Sequence, residues 1–393
     1  MHDPSGCNST YNTHDEIRWY DQDSLIFISG LTDIDAIMGN DEKFLQDIEE
    51  AAKELKPKFI ALASSPIPFM NGTDFPGLAR ALTARTGIPA FSVPTSGMHD
   101  YVYGAGLALA EIAGHFTGAA EKTGRCSEAP TESAERSTEK RNRKLNLLGA
   151  TPLDLGPQSA VDAMKKRLKN YGWEILSTWA MGDTLEALSR AGEAAVNLVV
   201  SSVGIPAANV LKEKFGTPYV YAVPYGYSGT VSFLEQVGAA VGKAPEPMVL
   251  MRIKMKEKGM SMLSMFAMMG GSKPRQAAIK GDYDLVQGVG AFLEQAGISV
   301  THKMCAHSLK AITEPAADVE AYAEEGEWLQ KIRELRDTLL FADDVALTQA
   351  DASNTKVLIS APFMNGVVAT HLPFMGEKGA DFLLEQIQGY YQK

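Results

Sequence analysis

The chain has 393 residues, of which 45% are hydrophobic and 22% charged, values typical of a globular protein too long for one ordinary domain. The formal net charge of −11 argues against a nucleic-acid-binding surface, which needs clustered Lys and Arg, and against docking on anionic lipid. No apolar run approaches the ~20 residues of a membrane-spanning helix. We therefore expect two or three lobes and neither a nucleic-acid nor a membrane partner.

Cysteine spacing and the N-terminal residues bear on location. Cys7, Cys126 and Cys305 stand far apart, and the sequence has no CxxC pair. Such spacing is typical of a reducing compartment. The first residues have neither the basic start nor the apolar stretch of a signal peptide. We expect a cytoplasmic protein, which weighs against a secreted, lobed binding protein.

The first part of the chain alternates short apolar runs with amphipathic stretches. Strands are predicted at 24–29, 59–63 and 89–93, and helices near 43–55, 75–86 and 101–116. This alternation indicates βαβ units and a parallel sheet, and it predicts a first Rossmann-like lobe over 1–118. The polar, charged run 119–143 is typical of a linker or surface loop.

Two further stretches repeat the alternation. Strands at 144–148, 173–179, 196–201 and 219–223, with helices near 159–171, 184–191 and 207–215, predict a second Rossmann-like lobe over 144–245. Strands at 276–279, 298–304, 338–341 and 355–360, with helices near 285–295 and 379–390, predict a third over 246–393. The expected fold class is α/β, with ligands at the carboxyl ends of parallel strands and between lobes.

Common catalytic and nucleotide motifs are missing from the sequence. There is no GxxxxGK[ST] phosphate loop, so we expect this chain to bind no nucleotide. GAG at 104–106 and GVG at 288–290 each lack the third glycine of a dinucleotide fingerprint. HExxH and GxSxG are also absent, which removes most support from the hypothesis of a self-contained hydrolase.

Several segments, in order along nearly the whole chain, resemble the nitrogenase component 1 superfamily. HDPSGC at 2–7 resembles the family's His-Gly-Pro-x-Gly-Cys turn, whose cysteine binds an iron–sulfur cluster. KPKFIALASSPIPFMNGTD resembles a strand and loop that usually end in Cys-Pro, and FGTPYVYAVPYGYSGT and GDYDLVQGVGAFLEQAG also fit. The resemblance implies three Rossmann-like lobes per subunit and electrons supplied by a separate ATP-hydrolysing iron–sulfur reductase.

The resemblance also implies a cofactor site near the N-terminus. Cys7 would be a ligand of a 4Fe–4S cluster at a subunit interface, with Gly6 in the same turn. Asp3 is a candidate for a further metal ligand, and the alternatives are His2, His14, Asp15 or a different partner subunit. Such a cluster needs about four ligands, so a second chain would have to contribute, in a homodimer or in a heterotetramer with a related subunit. The alternative for Cys7 is a small buried residue in a tight turn.

Two departures from the family pattern limit what the resemblance implies. Ser65 stands at the Cys-Pro position as a cofactor-binding candidate, although a hydroxyl is a far poorer ligand for iron than a thiolate. Val200 and Ser201 stand where nitrogenase has its cofactor cysteine. These departures predict that the chain is not a dinitrogen-reducing subunit.

Three residues are candidates for proton transfer. His99 and Asp100 follow a strand-end turn and suit proton transfer near neutral pH; the alternative is a polar pair that caps a helix. His371 lies in the last loop, where strand-end placement points it toward a cleft between lobes. The methionine-rich stretch 248–269 is typical of core packing or a subunit contact, with a substrate cavity as the alternative.

Two hypotheses follow. The first is a nitrogenase-like oxidoreductase subunit of an anaerobe, which takes electrons from the ATP-dependent reductase and reduces a substrate between lobes. The second is a non-catalytic partner or scaffold that binds a metallocofactor or a tetrapyrrole precursor. The retained Cys7 turn favours the first, and the missing cysteines favour the second.

Overall fold

Three parallel β-sheets organise the chain. A computed structural model describes residues 1–4, 26–118, 143–155, 158–270, 276–307, 309, 312, 314–321, 325–360 and 375–392. Every strand pair in the three sheets is parallel, and helices connect most consecutive strands. The predicted α/β class with parallel sheets is confirmed. The chain divides into two compact units, Met1–Glu111 and Ile112–Lys393.

The first unit holds a two-stranded sheet packed against amphipathic helices. Its strands are β1 (Ile60–Ala63) and β2 (Ala90–Val93), and its helices are α1 (Asp33–Met38), α2 (Asp41–Leu55), α3 (Pro66–Met70), α4 (Phe75–Thr86) and α5 (Tyr101–Phe116), the last of which continues into the second unit. Phe44 from α2, Leu62 from β1 and Leu82 from α4 meet in its core. The apolar spacing of these helices therefore buries one face of each against the sheet.

The predicted strand at 24–29 is wrong over the residues that the structure describes. Residues 26–29 form no regular strand. Their backbone instead pairs with the chain's first residues, because Ser29 N–H donates to Met1 O at 3.1 Å and Met1 N donates to Phe27 O at 2.6 Å. His2 in turn forms a parallel bridge with Ser64, so this segment lies beside β1.

The second unit begins with a four-stranded sheet. Its strands are β3 (Lys144–Leu148), β4 (Glu174–Thr178), β5 (Val196–Val199) and β6 (Tyr219–Tyr221), in the order β4-β3-β5-β6. Its helices are α6 (Pro152–Leu155), α7 (Gln158–Asn170), α8 (Leu185–Ser189), α9 (Ile205–Phe215) and α10 (Gly226–Val241). The near-continuous burial of β3 and β5 is typical of a parallel sheet covered on both faces.

A five-stranded sheet completes the second unit. Its strands are β7 (Gln276–Gly281), β8 (Ser299–Cys305), β9 (Glu320–Ala321), β10 (Leu339–Ala342) and β11 (Thr355–Leu358), in the order β11-β10-β7-β8-β9. Its helices are α11 (Pro247–Gly270), α12 (Tyr283–Gln295), α13 (Glu325–Glu334), α14 (Asp344–Gln349) and α15 (Gly376–Gln392). One hydrophobic core runs from the side chains of β3 and β5 to those of β7 and β10.

Helix α10 was not predicted, because its first residues have the composition of a turn. The segment begins GYSGT, and Gly226 has a φ of +66° that favours glycine. Helix formation prevails because Val231, Phe233, Leu234 and further residues of α10 are buried in the core. Tertiary packing outweighs local propensity here.

The predicted lobe ranges 1–118, 144–245 and 246–393 each contain one of the three sheets. Their boundaries stay predictions, as does the linker at 119–143, nearly all of which lies outside the described residues. Within the described part of the chain, no helix combines the length and the apolar character needed to cross a membrane.

A buried ion pair fixes the middle of the third sheet. Lys280 at the end of β7 is 4% exposed, and its Nζ donates to the carboxylate of Asp343, which is fully buried. Nζ also lies 3.8 Å from the ring centroid of Trp328, and Asp343 caps α14 by accepting from Ala346 N–H at 3.0 Å. Removing one partner leaves a buried charge uncompensated.

We expect Lys280→Met to lower the free energy of unfolding by about 3–5 kcal/mol, because the Asp343 carboxylate loses its counter-charge. Adding Asp343→Asn should restore part of the loss, since asparagine keeps the helix cap without the charge. Urea denaturation measures both, with Lys254→Met at an exposed ion pair to Glu235 as the matched control, expected to cost less than ~1 kcal/mol. Equal costs for Lys280→Met and Lys254→Met would contradict this account.

Candidate functional site

Polar side chains gather where strands of the second and third sheets end, inside the second unit. Asp154 follows β3, Ser201 and Ser202 follow β5, and Asp282 and Asp284 follow β7. The carboxyl ends of parallel strands are where ligands bind in sheets of this kind. We call Asp154, Asp282 and Asp284 the carboxylate cluster.

Asp154 is held by two hydroxyl groups. Its Oδ2 accepts hydrogen bonds from Thr151 Oγ1 at 2.7 Å and from Ser201 Oγ at 2.8 Å. This approach of the β3 and β5 ends requires Gly149, which has a φ of +82°, since a Cβ there would lie 2.9 Å from Ser201 Oγ and 3.0 Å from Gly204 N. The close backbone packing therefore positions Ser201 against Asp154.

Asp284 joins the second sheet to the third. Its Oδ2 accepts from Ser202 N–H at 2.9 Å, and its Oδ1 accepts from the hydroxyl of Tyr221, the last residue of β6. Asp284 is 9% exposed, whereas Asp282 is partly buried and caps α12 by accepting from Leu285 N–H at 2.9 Å. The cluster thus collects groups from four strand ends.

Burial raises the pKa of each carboxyl group in the cluster, and neighbouring carboxylates raise the pKa of Asp154 and Asp284 further. The pKa of Asp154 rises to about 7, chiefly through burial and then through the charges of Asp282 and Asp284. The pKa of Asp284 also rises to about 7, through burial and then the charge of Asp282. Burial likewise raises the pKa of Asp282. The cluster can therefore hold and release protons near neutral pH.

Two tyrosines beside the cluster keep their protons. Burial, followed by the neighbouring carboxylates, raises the pKa of Tyr221 and Tyr225 above the ordinary tyrosine value of 10.0. Both hydroxyls are therefore neutral donors at physiological pH. Tyr221 uses its proton to bond Asp284, so it can stabilise the charge that this carboxyl group carries after releasing a proton.

The residues predicted for the cofactor site lie partly within the described structure. Asp3 and Ser65 are 5% and 1% exposed in the first unit, next to the bridge between His2 and Ser64. Asp3 Oδ2 and Ser65 Oγ are buried and have no hydrogen-bond partner among the described residues. A buried, unsatisfied carboxylate oxygen suits a metal ligand, whereas a hydroxyl suits iron poorly. Asp3 therefore fits as one ligand, and Ser65 does not.

The remaining predicted residues are not brought into a described site. Cys7, Gly6 and His371 lie outside the described residues. Asp100 Oδ1 accepts from Tyr103 N–H at 2.9 Å and so caps α5, and the His99 ring lies 4.1 Å from that of Tyr103. The capping alternative for Asp100 is thus present, and proton transfer by His99 and Asp100 stays a prediction. Within the described ranges, no three His, Cys, Asp or Glu side chains are grouped to hold a metal ion.

Comparison with known proteins decides the family. Residues 1–390 match the family described as nitrogenase component 1 type oxidoreductase. The chain belongs to this family. The solved structure of nitrogenase Cp1 at pH 6.5 is similar to this chain, with a TM-score of 0.76 and 17% sequence identity. The match covers 100% of this chain and 87% of that one. At this identity the likeness shows the fold alone, and it confirms the predicted nitrogenase component 1-like fold of three Rossmann-like lobes.

Two curated relatives are components of larger enzymes. One is a component of the light-independent protochlorophyllide reductase of Rhodopseudomonas palustris strain TIE-1, 27% identical over 210 residues, which cover 53% of this chain and 37% of that protein. The other is the nitrogenase molybdenum-iron protein beta chain of Methanothermobacter marburgensis, 22% identical over 413 residues, which cover 98% and 88%. The match to the protochlorophyllide reductase component thus spans little more than a third of its length.

In this nitrogenase component 1 type protein, sequence reasoning missed the carboxylate cluster. Ser201 is a departure from the family pattern, and its hydroxyl donates a hydrogen bond to Asp154. The sequence does contain a signal for this site, which is the position of two acidic residues relative to a strand. Asp282 directly follows β7, and Asp284 stands two residues later. Carboxylates that follow a strand end of a βαβ unit are candidates for a ligand site.

The cluster makes stability depend on pH. The pKa of Asp284 is about 7 in the folded chain and near its ordinary value of 3.8 when unfolded. The stability from its burial is therefore complete below about pH 4 and is lost as pH rises through about 7. Asp284→Asn should remove this loss, because the amide can accept from Ser202 N–H and donate to Tyr221.

Urea denaturation at pH 5 and pH 8 measures the difference. We expect the wild-type free energy of unfolding to fall between these pH values by at least ~1 kcal/mol more than that of Asp284→Asn. Asp318→Asn is the matched control, because an ion pair with Lys303 lowers the pKa of Asp318 and keeps it ionised throughout this range. Parallel pH profiles for wild type and Asp284→Asn would refute the raised pKa.

Proposed function

We propose that this chain is a nitrogenase-like oxidoreductase subunit that reduces a substrate bound beside the carboxylate cluster. The observation that carries the proposal is the grouping of Asp154, Asp282 and Asp284 at the strand ends, where the pKa of Asp282 is raised and those of Asp154 and Asp284 are raised to about 7. Family membership over residues 1–390 supports a reduction as the reaction class. Electrons would come from a separate ATP-dependent iron–sulfur reductase.

The cluster suits the proton half of such a reduction. Each pair of electrons added to an unsaturated bond requires a pair of protons. A carboxyl group with a pKa near 7 is partly protonated at neutral pH, so it can both donate a proton and regain one. The hydroxyls of Thr151 and Ser201 stabilise the ionised form of Asp154, and Tyr221 does so for Asp284.

The electron half would depend on the N-terminal segment. We propose that Cys7 and Asp3 contribute ligands to a 4Fe–4S cluster, completed by a second chain. Such a cluster, when bound, supplies one-electron transfer. The buried Asp3 oxygen, which has no hydrogen-bond partner among the described residues, supports this assignment for the part of the site that the structure describes.

A partner surface on the first unit agrees with a multi-subunit assembly. Large apolar side chains of α1 and α3 are strongly exposed; they are Ile34 at 72%, Ile37 at 81%, Met38 at 77%, Phe69 at 57% and Met70 at 73%. Asn71 Nδ2 donates to Ala36 O at 2.8 Å, which joins the end of α3 to α1. Exposed apolar patches of this kind mark protein interfaces. A homodimer or a heterotetramer with a related subunit would cover it.

A scaffold that binds a metallocofactor or tetrapyrrole precursor without catalysis is the second candidate. Ser65 in place of the Cys-Pro cysteine favours it, since a hydroxyl contributes little to iron binding. This candidate and the reductase subunit differ in whether the purified chain carries its own iron.

Iron and sulfide analysis of anaerobically purified protein, together with its mass in solution, separates the two. The reductase proposal expects about four irons per dimer, loss of most iron in Cys7→Ala, and a weaker loss in Asp3→Asn. Cys126→Ala, in the polar run 119–143, is the matched thiol control and should keep its iron. A wild-type protein free of iron and sulfide would overturn the reductase proposal and favour the scaffold.

A further inference from the structure

A cavity of about 120 Å³ adjoins Asp154 inside the second unit. Helices α7 and α10 and the first turn of α15 surround it, and most of its lining is apolar; that lining includes Leu155, Met164, Leu168, Phe233, Leu234 and Met375. Pockets with an apolar lining and a few placed polar groups are typical of small-molecule sites. An apolar cavity of about 150 Å³ admits benzene, so this one suits an apolar group of about ring size.

The polar groups of this cavity lie at opposite ends of α7. Asp154 precedes the first residue of the helix, whereas Arg167 lies in its last turn. With a rise of about 1.5 Å per residue, the ends of α7 are separated by roughly 20 Å. A carboxyl group that exchanges protons near neutral pH thus stands at one end, and a permanently charged guanidinium at the other.

The Arg167 end carries a surplus of positive charge. Glu377, which is 6% exposed, accepts from Arg167 and also from Arg252 Nη2 at 3.0 Å, and Lys378 lines the cavity beside it. Two guanidinium groups therefore pair with one carboxylate, and Lys378 adds a further positive charge to the lining. Cationic groups at the end of an apolar cavity favour a ligand with an apolar body and an anionic head.

We propose that this cavity binds an apolar carboxylic acid, with its carboxylate at Arg167 and its apolar body directed toward Asp154. The assignment goes beyond the proposed function, because a ligand of ring size held at Arg167 is too short to reach the carboxylate cluster at the other end of α7. A carboxylate at Arg167 would share that guanidinium with Glu377, since a guanidinium carries several N–H donors. The ligand class is therefore set by side chains that the reduction itself does not use.

Calorimetric titration with three ligands of the same apolar body tests the charge preference. 3-Phenylpropanoate should bind about tenfold or more tightly than 3-phenylpropan-1-ol, because Arg167 donates a charge-assisted hydrogen bond to its carboxylate. 3-Phenylpropylamine should bind most weakly, because the Arg167 guanidinium repels its ammonium group. Arg167→Met should remove the preference for the acid and leave alcohol binding within about threefold. Ala160→Leu, which places a larger side chain in the cavity, should weaken the acid and the alcohol alike.

Arg190→Met is the matched control, because Arg190 pairs with Glu193 and does not line the cavity. Equal affinity for acid and alcohol in the wild type, or unchanged binding in Ala160→Leu, would overturn the proposal. The titration measures binding without turnover and without iron. Failure of the cavity proposal would therefore leave the reductase proposal standing, because the iron analysis tests that one. Thermal unfolding of each variant shows that the comparison is made on folded protein.

Discussion

The second unit depends on a carboxylate that is shared between two sheets. Asp284 leaves the end of β7 and accepts from Ser202 N–H and from the Tyr221 hydroxyl, both of which belong to the neighbouring sheet. Burying an ionised carboxyl group next to two others costs free energy, and the pKa values of all three groups are raised as a result. The same bonds thus join the sheets and set the proton affinity of the site.

Other buried carboxylates of the second unit, Asp343 and Glu377, have cationic partners. At Lys280, two residues before Asp282, the buried Asp343 carboxylate pairs with the lysine ammonium, which also lies over the Trp328 ring. Glu377 likewise faces two guanidinium groups. The pKa values of Asp154 and Asp284 are instead raised by burial and by neighbouring carboxylates. Asp343 and Glu377 thus have cationic partners, whereas the carboxyl groups at the strand ends are poised to exchange protons.

Much of the fold followed from the sequence, because alternating strands and helices with buried, β-branched runs specify parallel sheets. The strands at β5 and β10 were clear for this reason. Helix α10 was missed because GYSGT has turn composition and only tertiary packing stabilises it as a helix. The site was harder, since Asp154 and Asp284 come together through three strand ends and the close approaches at Gly149 and Gly204, none of which leaves a contiguous motif. Family resemblance drew attention instead to the N-terminal turn and its cysteine.

The central claim is that the strand-end carboxyl groups titrate near neutral pH, and infrared titration of the protonated carboxyl band measures this directly. From pH 5 to pH 9 we expect a band that is lost with a midpoint near 7 and is reduced in both Asp154→Asn and Asp284→Asn. A protein whose carboxyl groups have all ionised by pH 5, with no band left for either variant to remove, would contradict the account.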